Sequence, residues 1–196
     1  RRKMRFDIRL IYVSKIATTA SYIVDIGRFR LTLNLLNLQG KSPTKVNDIT
    51  MGSGSFGTVL VKSVANTEFV AKIIKLEKKT PEELEEIVLE VAISKLCAMF
   101  GIAPDVETSI PYDIIVYEDA AQFHLEKCDT LCNGDQFMKM ISEDSEKFIT
   151  DLTYCVRVLH SLHITHRDIK PSNTLYCRRL NQYVLCDFGI AQYVYE

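Results

Sequence analysis

Apolar and polar residues alternate along residues 5–13 and again through residues 21–36, with the two-residue period of a half-buried β-strand. A turn near Gly27 divides the second stretch, which therefore predicts two strands. Gly40 and Pro43 interrupt the pattern within residues 39–44. We predict three strands before this break and a domain boundary at it.

Beyond the break, strand-like runs are separated by two helical stretches. Thr80, followed by Pro81 and acidic residues, has the composition of a helix start, and apolar residues then recur at helical spacing through Leu96. A longer helical pattern covers about 145–162, with apolar residues on one face. The predicted strands are 46–51, 57–64, 67–76, a run that ends near 123–125, 174–178 and 182–186. This order predicts an α+β fold in two parts.

Charge is distributed unevenly, although the whole chain has a formal net charge of only −1. Residues 1–46 contain ten Lys and Arg against Asp7 and Asp25, a net charge of +8, so the remainder carries −9. This asymmetry indicates a separate basic segment, either a solvated arm or a surface for something acidic. Apolar residues make up 47% of the chain and charged residues 25%, a balance that excludes general disorder.

The spacing of the cysteines indicates the kind of cellular compartment in which the chain works. All six lack the spacing of a C-x-x-C pair or of a zinc site with histidine. Reduced thiols of this kind are typical of the cytosol or nucleus. There is also no apolar run of eighteen residues, so we expect no membrane-spanning segment. The first residues form a basic flank without a clean apolar core or a small-residue cleavage site, so we expect no signal peptide.

A glycine-rich loop lies between two of the predicted strands. Residues 51–59 (MGSGSFGTV) contain G-x-G-x-x-G-x-V, whose glycines let backbone N–H groups approach phosphate oxygens closely. The same glycines also suit an ordinary bulged hairpin. Strand-forming residues follow Gly57, whereas a dinucleotide-binding motif requires a helix there, so an oxidoreductase is disfavoured.

Lys72 ends the strand-like sequence of residues 69–72 (FVAK), fifteen positions after Gly57. This sequence loosely matches a V-A-I-K strand, in which the lysine binds nucleotide phosphates. Glu90, on the predicted helix, is the expected partner of this lysine. Glu86 lies one turn away on the same helix face and is the alternative partner.

The sequence His166-Arg-Asp-Ile-Lys-Pro-Ser-Asn carries the strongest functional signal. Asp168 can accept a proton from an attacking hydroxyl, Lys170 can neutralise a transferring phosphoryl group, and Asn173 can ligate magnesium. Asp187 begins a D-F-G sequence after a predicted strand, and its carboxylate can reach Mg²⁺ that bridges nucleotide phosphates. A D-F-G sequence alone is an ordinary turn, but four motifs in this order favour phosphoryl transfer.

In these motifs the chain resembles a eukaryotic-type protein kinase over about residues 47–192, and Asp168, Lys170 and Asn173 together resemble the Ser/Thr class. The resemblance implies a bilobal fold, truncated before the activation segment. Its N-lobe would have a five-stranded antiparallel sheet plus one helix, and its C-lobe would be helical. The implied activity is ATP-dependent phosphorylation of Ser or Thr on protein substrates, with ATP and Mg²⁺ as cofactors.

The same resemblance implies a set of site residues. The implied catalytic residues are Lys72, Glu90, Asp168 and Lys170, and the implied metal ligands are Asn173 and Asp187. Leu125 would be the gatekeeper, before a hinge that meets adenine. The residues implied to contact the nucleotide are Met51, Gly52, Gly54, Gly57, Val59, Val70, Lys72, Glu126, Cys128 and Leu175.

A closer resemblance lies in residues 166–192, which are similar to the cell-division-cycle-seven kinases, the catalytic subunits of DDK. It rests on P-S-N-x-L-Y-x-R-R-L, Y-x-L-x-D-F-G and the Ala-Gln ending. It implies a nuclear kinase, with the cytoplasm as the alternative, that acts with a Dbf-four-type regulatory subunit on the MCM helicase at replication origins. Neither a membrane nor direct contact with nucleic acid is required. Gly57 departs from that family, which often lacks the third glycine.

Three parts are therefore expected: a basic, β-rich N-terminal extension over 1–45, a kinase N-lobe over 46–126 and the start of a C-lobe over 127–196. The chain begins at Arg1 and stops seven residues after Gly189, so we expect a fragment of a longer protein. Two hypotheses stay open. One is a Ser/Thr kinase, inside or outside the DDK family, and the other is a kinase-like module that binds nucleotide or a partner without catalysis.

Overall fold

The structure, a computed structural model, describes residues 7–13, 18–42, 49–54, 57–107, 111–130 and 134–194. These residues form two compact units. The first comprises described residues within 7–92 and 106–127, and the second comprises 93–105 and described residues within 128–194. In neither unit is a described helix long and apolar enough to cross a membrane.

One mixed sheet of eight strands dominates the first unit, in the order β1-β2-β3-β7-β8-β6-β5-β4. Neighbouring strands are antiparallel except for β3 and β7, which run parallel. The strands are β1 (Asp7–Val13), β2 (Thr19–Ile26), β3 (Phe29–Asn37), β4 (Ile49–Gly54), β5 (Gly57–Val64), β6 (Thr67–Lys75), β7 (Ile114–Val116) and β8 (Ala120–Glu126).

All three predicted N-terminal strands are present, and β2 and β3 show the alternating burial that the sequence predicted. Gly27 (φ 57°) occupies the turn between β2 and β3. They do not stand apart as a separate sheet. β3 pairs with β7, with Leu35 opposite Ile114, so the sheet is wider than the five antiparallel strands that the resemblance implied. The pattern did not reveal this junction, because β7 has only three residues and its partner strand lies far away in sequence. We call β1–β3 the N-terminal meander.

Helix α1 (Pro81–Met99) begins where the sequence predicts. The Thr80 hydroxyl accepts a hydrogen bond from Glu83 N–H (3.3 Å), and the Glu83 carboxylate accepts one from Thr80 N–H (3.0 Å). These reciprocal bonds form a capping box, which satisfies two backbone donors that the first helical turn leaves without partners. Ile87, Val88 and other apolar residues of this helix are buried in the core.

The second unit contains helix α2 (Gly134–Ser161), which is interrupted at Asp144 (φ −148°, ψ 51°). The sequence pattern predicted only the part beyond this kink. The short elements are β9 (Asp129–Thr130), β10 (Ile164–Thr165), a 3₁₀ turn (Pro171–Asn173), β11 (Thr174–Cys177), β12 (Gln182–Leu185) and β13 (Gln192–Tyr193). α2 packs on β12, where Phe148 meets the Tyr183 ring edge-on and Asp151 accepts a hydrogen bond from Tyr183 N–H (3.0 Å).

Candidate active site

The first unit contains a buried ion pair between Lys72 on β6 and Glu90 on α1. Each residue is 6% exposed, and the Lys72 ammonium donates a hydrogen bond to Glu90 Oε1. The ring of Phe123 lies under the same ammonium, 5.9 Å from its centroid. Glu86, the alternative partner, is exposed. Separating the two groups would leave each charge buried without the other, which is costly. The ion pair therefore holds β6 and α1 in one relative position.

The glycine-rich loop is the hairpin between β4 and β5, with residues 55–56 outside the described part. Its register shifts next to Met51, as in a bulge, and then pairs Gly52 with Val59 and Gly54 with Gly57. Gly57 has φ +119°, and a Cβ there would lie 2.4 Å from a backbone carbonyl oxygen of β6. Strand β5 follows the loop directly, as the sequence predicted, so the described residues after Gly57 do not provide the helix N-terminus that a dinucleotide-binding motif requires.

The remaining residues implied to contact the nucleotide are divided between the two units. Val59 lies opposite Lys72 in the β5–β6 register, and Val70 lies opposite Leu125 in the β6–β8 register. Glu126 ends β8 in the same unit. In the second unit, Leu175 is on β11, and Cys128 is buried against Cys177 and Val184 with Leu175 packed beside them.

His166 organises the backbone of the motif at residues 166–173 in the second unit, although the sequence analysis assigned it no role. Its Nδ1 accepts a hydrogen bond from Asp168 N–H (3.1 Å), so its Nε2 carries the proton and donates to the carbonyl of Cys186 (2.8 Å). Burial lowers the pKa of His166, which favours this neutral form. Its ring also lies 5.1 Å from that of Phe188. His166 therefore connects the motif at 166–173 with the D-F-G motif at 187–189. The sequence signal that could have revealed this role was its position at the start of the first motif.

Asp168 is held by two neighbours from its own motif. Lys170 Nζ lies 2.9 Å from Asp168 Oδ2, and Asn173 Nδ2 donates to both Oδ2 and the backbone carbonyl of Asp168 at 2.9 Å. The hydrogen bond from Lys170 is the main reason that the pKa of Asp168 is lowered, and Asn173 adds to it. Asp168 is therefore an anionic hydrogen-bond acceptor at neutral pH, on a side chain that is still 21% exposed.

Asp187 follows β12 in a left-handed backbone conformation (φ 61°), and its Oδ1 accepts a hydrogen bond from Gly189 N–H (3.3 Å). The neighbouring Cys186 N–H donates to the Asn173 carbonyl (3.0 Å), which ties the two expected metal ligands to adjacent backbone. Because Asn173 Nδ2 is directed at Asp168, the acceptor that its amide offers to a cation is Oδ1. A carboxylate and an amide oxygen are donors that suit Mg²⁺, so these residues fit the ion.

Sequence comparison agrees with this arrangement of motifs. Residues 46–196 match the family model for the protein kinase domain. The chain belongs to the protein kinase family. The match begins just before β4, so the whole N-terminal meander precedes it, while β4–β8, both helices and the motif residues above lie within the kinase domain.

Curated relatives that the kinase domain resembles differ in kind. A Drosophila melanogaster "non-specific serine/threonine protein kinase" is 29% identical over 81% of the chain and 24% of its own length. A Dictyostelium discoideum "Probable serine/threonine-protein kinase cdc7" is 25% identical over 72% of the chain and 13% of its own length. An Aspergillus fumigatus "Mitogen-activated protein kinase kinae mkk2" is 32% identical over 72% of the chain and 29% of its own length. The chain thus spans less than a third of each of these relatives.

Proposed function

We propose that the chain is part of an enzyme that transfers a phosphoryl group from ATP to Ser or Thr hydroxyls of proteins. The observation that carries this proposal is the Asp168 carboxylate, which is anionic and held in place by Lys170 and Asn173. Such a group can accept the hydroxyl proton of a substrate as the hydroxyl attacks phosphorus. Membership of the protein kinase family and the relatives named as Ser/Thr kinases support the same reaction.

The other charged residues, the expected metal ligands and the hinge would each have a role in this reaction. Lys170 would offset negative charge on the transferring group, and Asn173 and Asp187 would hold Mg²⁺, which neutralises charge on the nucleotide phosphates when bound. Lys72, kept in position by Glu90, would bind the phosphates beneath the glycine-rich hairpin. The hinge residues Glu126 and Cys128 are proposed to meet adenine through their backbone.

MgATP binding tests the nucleotide part of this proposal. We expect calorimetry on this chain to show magnesium-dependent binding that Lys72→Ala and Asp187→Asn abolish. Lys75→Ala is the matched control, because Lys75 lies on the same strand but is exposed. Wild-type protein that is folded by circular dichroism but does not bind MgATP would overturn the proposal.

Transfer chemistry separates an enzyme from a module that only binds nucleotide. We expect phosphate transfer to Ser and Thr peptides but not Tyr peptides, and at least a hundredfold loss in Asp168→Asn with MgATP binding retained, as general-base catalysis contributes about 10²–10⁴-fold. Binding without transfer by a protein that extends through a complete C-lobe would favour the non-catalytic module instead.

We further propose that the kinase is of the DDK type and works in the nucleus on the MCM helicase with a Dbf-four-type regulatory subunit. Residues 166–192 and the relative named as a probable cdc7 support this proposal. The similarity to a mitogen-activated protein kinase kinase supports the alternative, a Ser/Thr kinase outside that family. Phosphorylation of purified MCM complex that increases when the regulatory subunit is added is expected for DDK. A response to MCM no greater than to a generic Ser/Thr substrate would favour the alternative.

A further inference from the structure

The face of the sheet that carries Lys72 continues into the N-terminal meander. Lys72 lies opposite Phe123 in the β6–β8 ladder. Ile115 pairs with the residue before Phe123, so Ile114 lies beside Phe123 on β7, and Leu35 lies opposite Ile114. Paired residues share a face of a sheet, and the side chains of alternate residues return to it. Leu35 and Lys72 therefore project from the same face.

The meander contributes an apolar row to this face. Leu33 lies opposite Tyr22 in the β2–β3 ladder, and Leu33 is fully buried. Thr32 lies between Leu31 and Leu33 on β3, so its side chain is on the opposite face of the sheet, and it is exposed. The buried row on β2 and β3 consists of Ala20, Tyr22, Val24, Ile26, Leu31, Leu33 and Leu35. An apolar row that is buried on one face needs an element to cover it.

Helix α1 lies over this face, because Glu90 reaches Lys72 there. Along residues 87–92, every side chain except Leu89 is buried, and at 3.6 residues per turn these six positions cover nearly the whole circumference. A helix with one side in water would show exposed residues at every turn. The 87–92 segment of α1 is therefore enclosed on more than one side.

Sheet twist explains how one sheet can enclose a helix. Four strand-to-strand steps separate β2 from β6, and at about 20–25° each the sheet turns through about 80–100°. Tyr22 on β2 is buried, and the charge of Glu85 on α1 adds to the effect of burial in raising the pKa of Tyr22. The helix is thus bracketed, with Glu85 near Tyr22 and Glu90 bonded to Lys72.

We infer that the N-terminal meander is a positioning element for the kinase site, since its apolar row on β2 and β3 supports α1 and thereby keeps Glu90 against Lys72. The inference rests on the proposed function for its consequence, because the Lys72–Glu90 pair is the part of that site which binds phosphates. The positioning itself is a statement about the pair and can be measured without nucleotide.

The test is the reactivity of the Lys72 amine. Acetic anhydride acetylates accessible unprotonated lysines, and mass spectrometry of peptides gives the rate at each position. We expect Leu33→Ala to raise the acetylation rate of Lys72 about tenfold, the ratio that a local opening easier by about 1.4 kcal/mol would give. Thr32→Ala, on the exposed face of the same strand, should leave the rate unchanged, and Glu90→Gln gives the rate for Lys72 without its ion pair to Glu90.

A purely structural role for Leu33 would have a different signature. General destabilisation would also accelerate amide hydrogen exchange in β11 and β12 of the second unit, whereas the inference requires those amides to keep wild-type rates. If Leu33→Ala does not fold, Leu33→Val carries the same comparison with a smaller truncation. An unchanged Lys72 rate in the folded variant overturns the inference, as does an increase that β11 and β12 share.

Calorimetry on the same samples separates this inference from the proposed function. If wild-type protein fails to bind MgATP, the proposed function fails, and the acetylation rates still decide the positioning. If wild-type protein binds and Leu33→Ala weakens binding in parallel with its Lys72 rate, both stand. If binding persists and the Lys72 rate does not respond to Leu33→Ala, only the inference fails.

Discussion

Gln122 and His124 project from the same face of β8, and their side-chain nitrogens lie 2.6 Å apart in the buried sheet. The amide nitrogen of Gln122 can only donate, so His124 Nε2 accepts this bond and the ring is neutral, with its proton on Nδ1. The ring also packs edge-on against Phe69 at 5.1 Å. Burial lowers the pKa of His124 to about 4.

This pair predicts a loss of stability in mild acid. The folded pKa of His124 lies below the unfolded value near 6.5, so its contribution is complete above about pH 6.5 and is lost as the pH falls toward 4. The difference between the folded and unfolded pKa of His124 corresponds to about 3 kcal/mol of unfolding free energy. Burial lowers the pKa of His166 as well, so it contributes in the same direction.

Urea unfolding at several pH values between 4 and 7 measures the effect. His124→Gln should flatten the dependence, because the substituted amide bonds Gln122 without titrating. His160→Gln, at an exposed position on α2, is the control and should keep the wild-type slope. A slope in His124→Gln equal to that of the wild type would show that the titrating group lies elsewhere.

The Lys72–Glu90 pair predicts strongly coupled substitutions. Lys72→Met or Glu90→Leu alone leaves one buried charge without its partner, and each should cost about 3–5 kcal/mol of unfolding free energy. The double variant should recover much of this loss, because no unpaired charge remains. A double-mutant cycle from denaturant unfolding gives the coupling, and strictly additive losses would contradict the prediction.

Gly57 predicts a steric effect that can be separated from backbone strain. In Gly57→Ala, the new Cβ would lie 2.4 Å from the Ile73 carbonyl oxygen, so β5 must move away from β6. Gly40→Ala is the matched control, since Gly40 also has positive φ but a Cβ added there would meet no atom within 4 Å. We expect a loss of about 1–2 kcal/mol for Gly40→Ala from strain alone. Thermal unfolding should show a clearly larger loss for Gly57→Ala.

The turn between β5 and β6 predicts a stabilising substitution. Val64 pairs with Thr67 across a two-residue loop, and Ala65 (φ 49°) and Asn66 (φ 64°) both have positive φ, as in a type I′ turn. Alanine is strained in this conformation, so Ala65→Gly should raise the unfolding free energy by about 1 kcal/mol. Asn66→Ala should lower it, and a melt in which the two variants move together would count against this turn geometry.

Local sequence signals predicted much of the fold. Thr80 and Pro81 mark the start of α1, and alternation identified β2 and β3, because capping and strand periodicity depend on neighbouring residues. The parallel β3–β7 junction escaped prediction, since nothing near Leu35 specifies a partner strand far along the chain. Chain neighbours likewise did not indicate that Gln122 and His124 form a buried polar pair.

The same difference between local and long-range interactions explains which parts of the candidate site the sequence predicted. The motifs identified Asp168, Lys170 and Asn173 because all three lie within six residues, and the structure joins them through their own side chains. Glu90 was separable from Glu86 only through the motif match, and the structure separates them by burial. His166 was missed as an organising residue because its hydrogen bond to Cys186 spans twenty residues.

The junction of the meander also sets an order of events during synthesis. Asn34 N–H donates to the Asp113 carboxylate, a partner 79 residues later in the chain. Chains leave the ribosome from the N-terminus, so β1–β3 emerge as a local three-stranded unit well before β7 exists. Pairings of such high contact order form late. Until Ile114 is made, the apolar row on β2 and β3 lacks its neighbouring strand, and in that interval we expect the nascent chain to be prone to aggregation and to need chaperones.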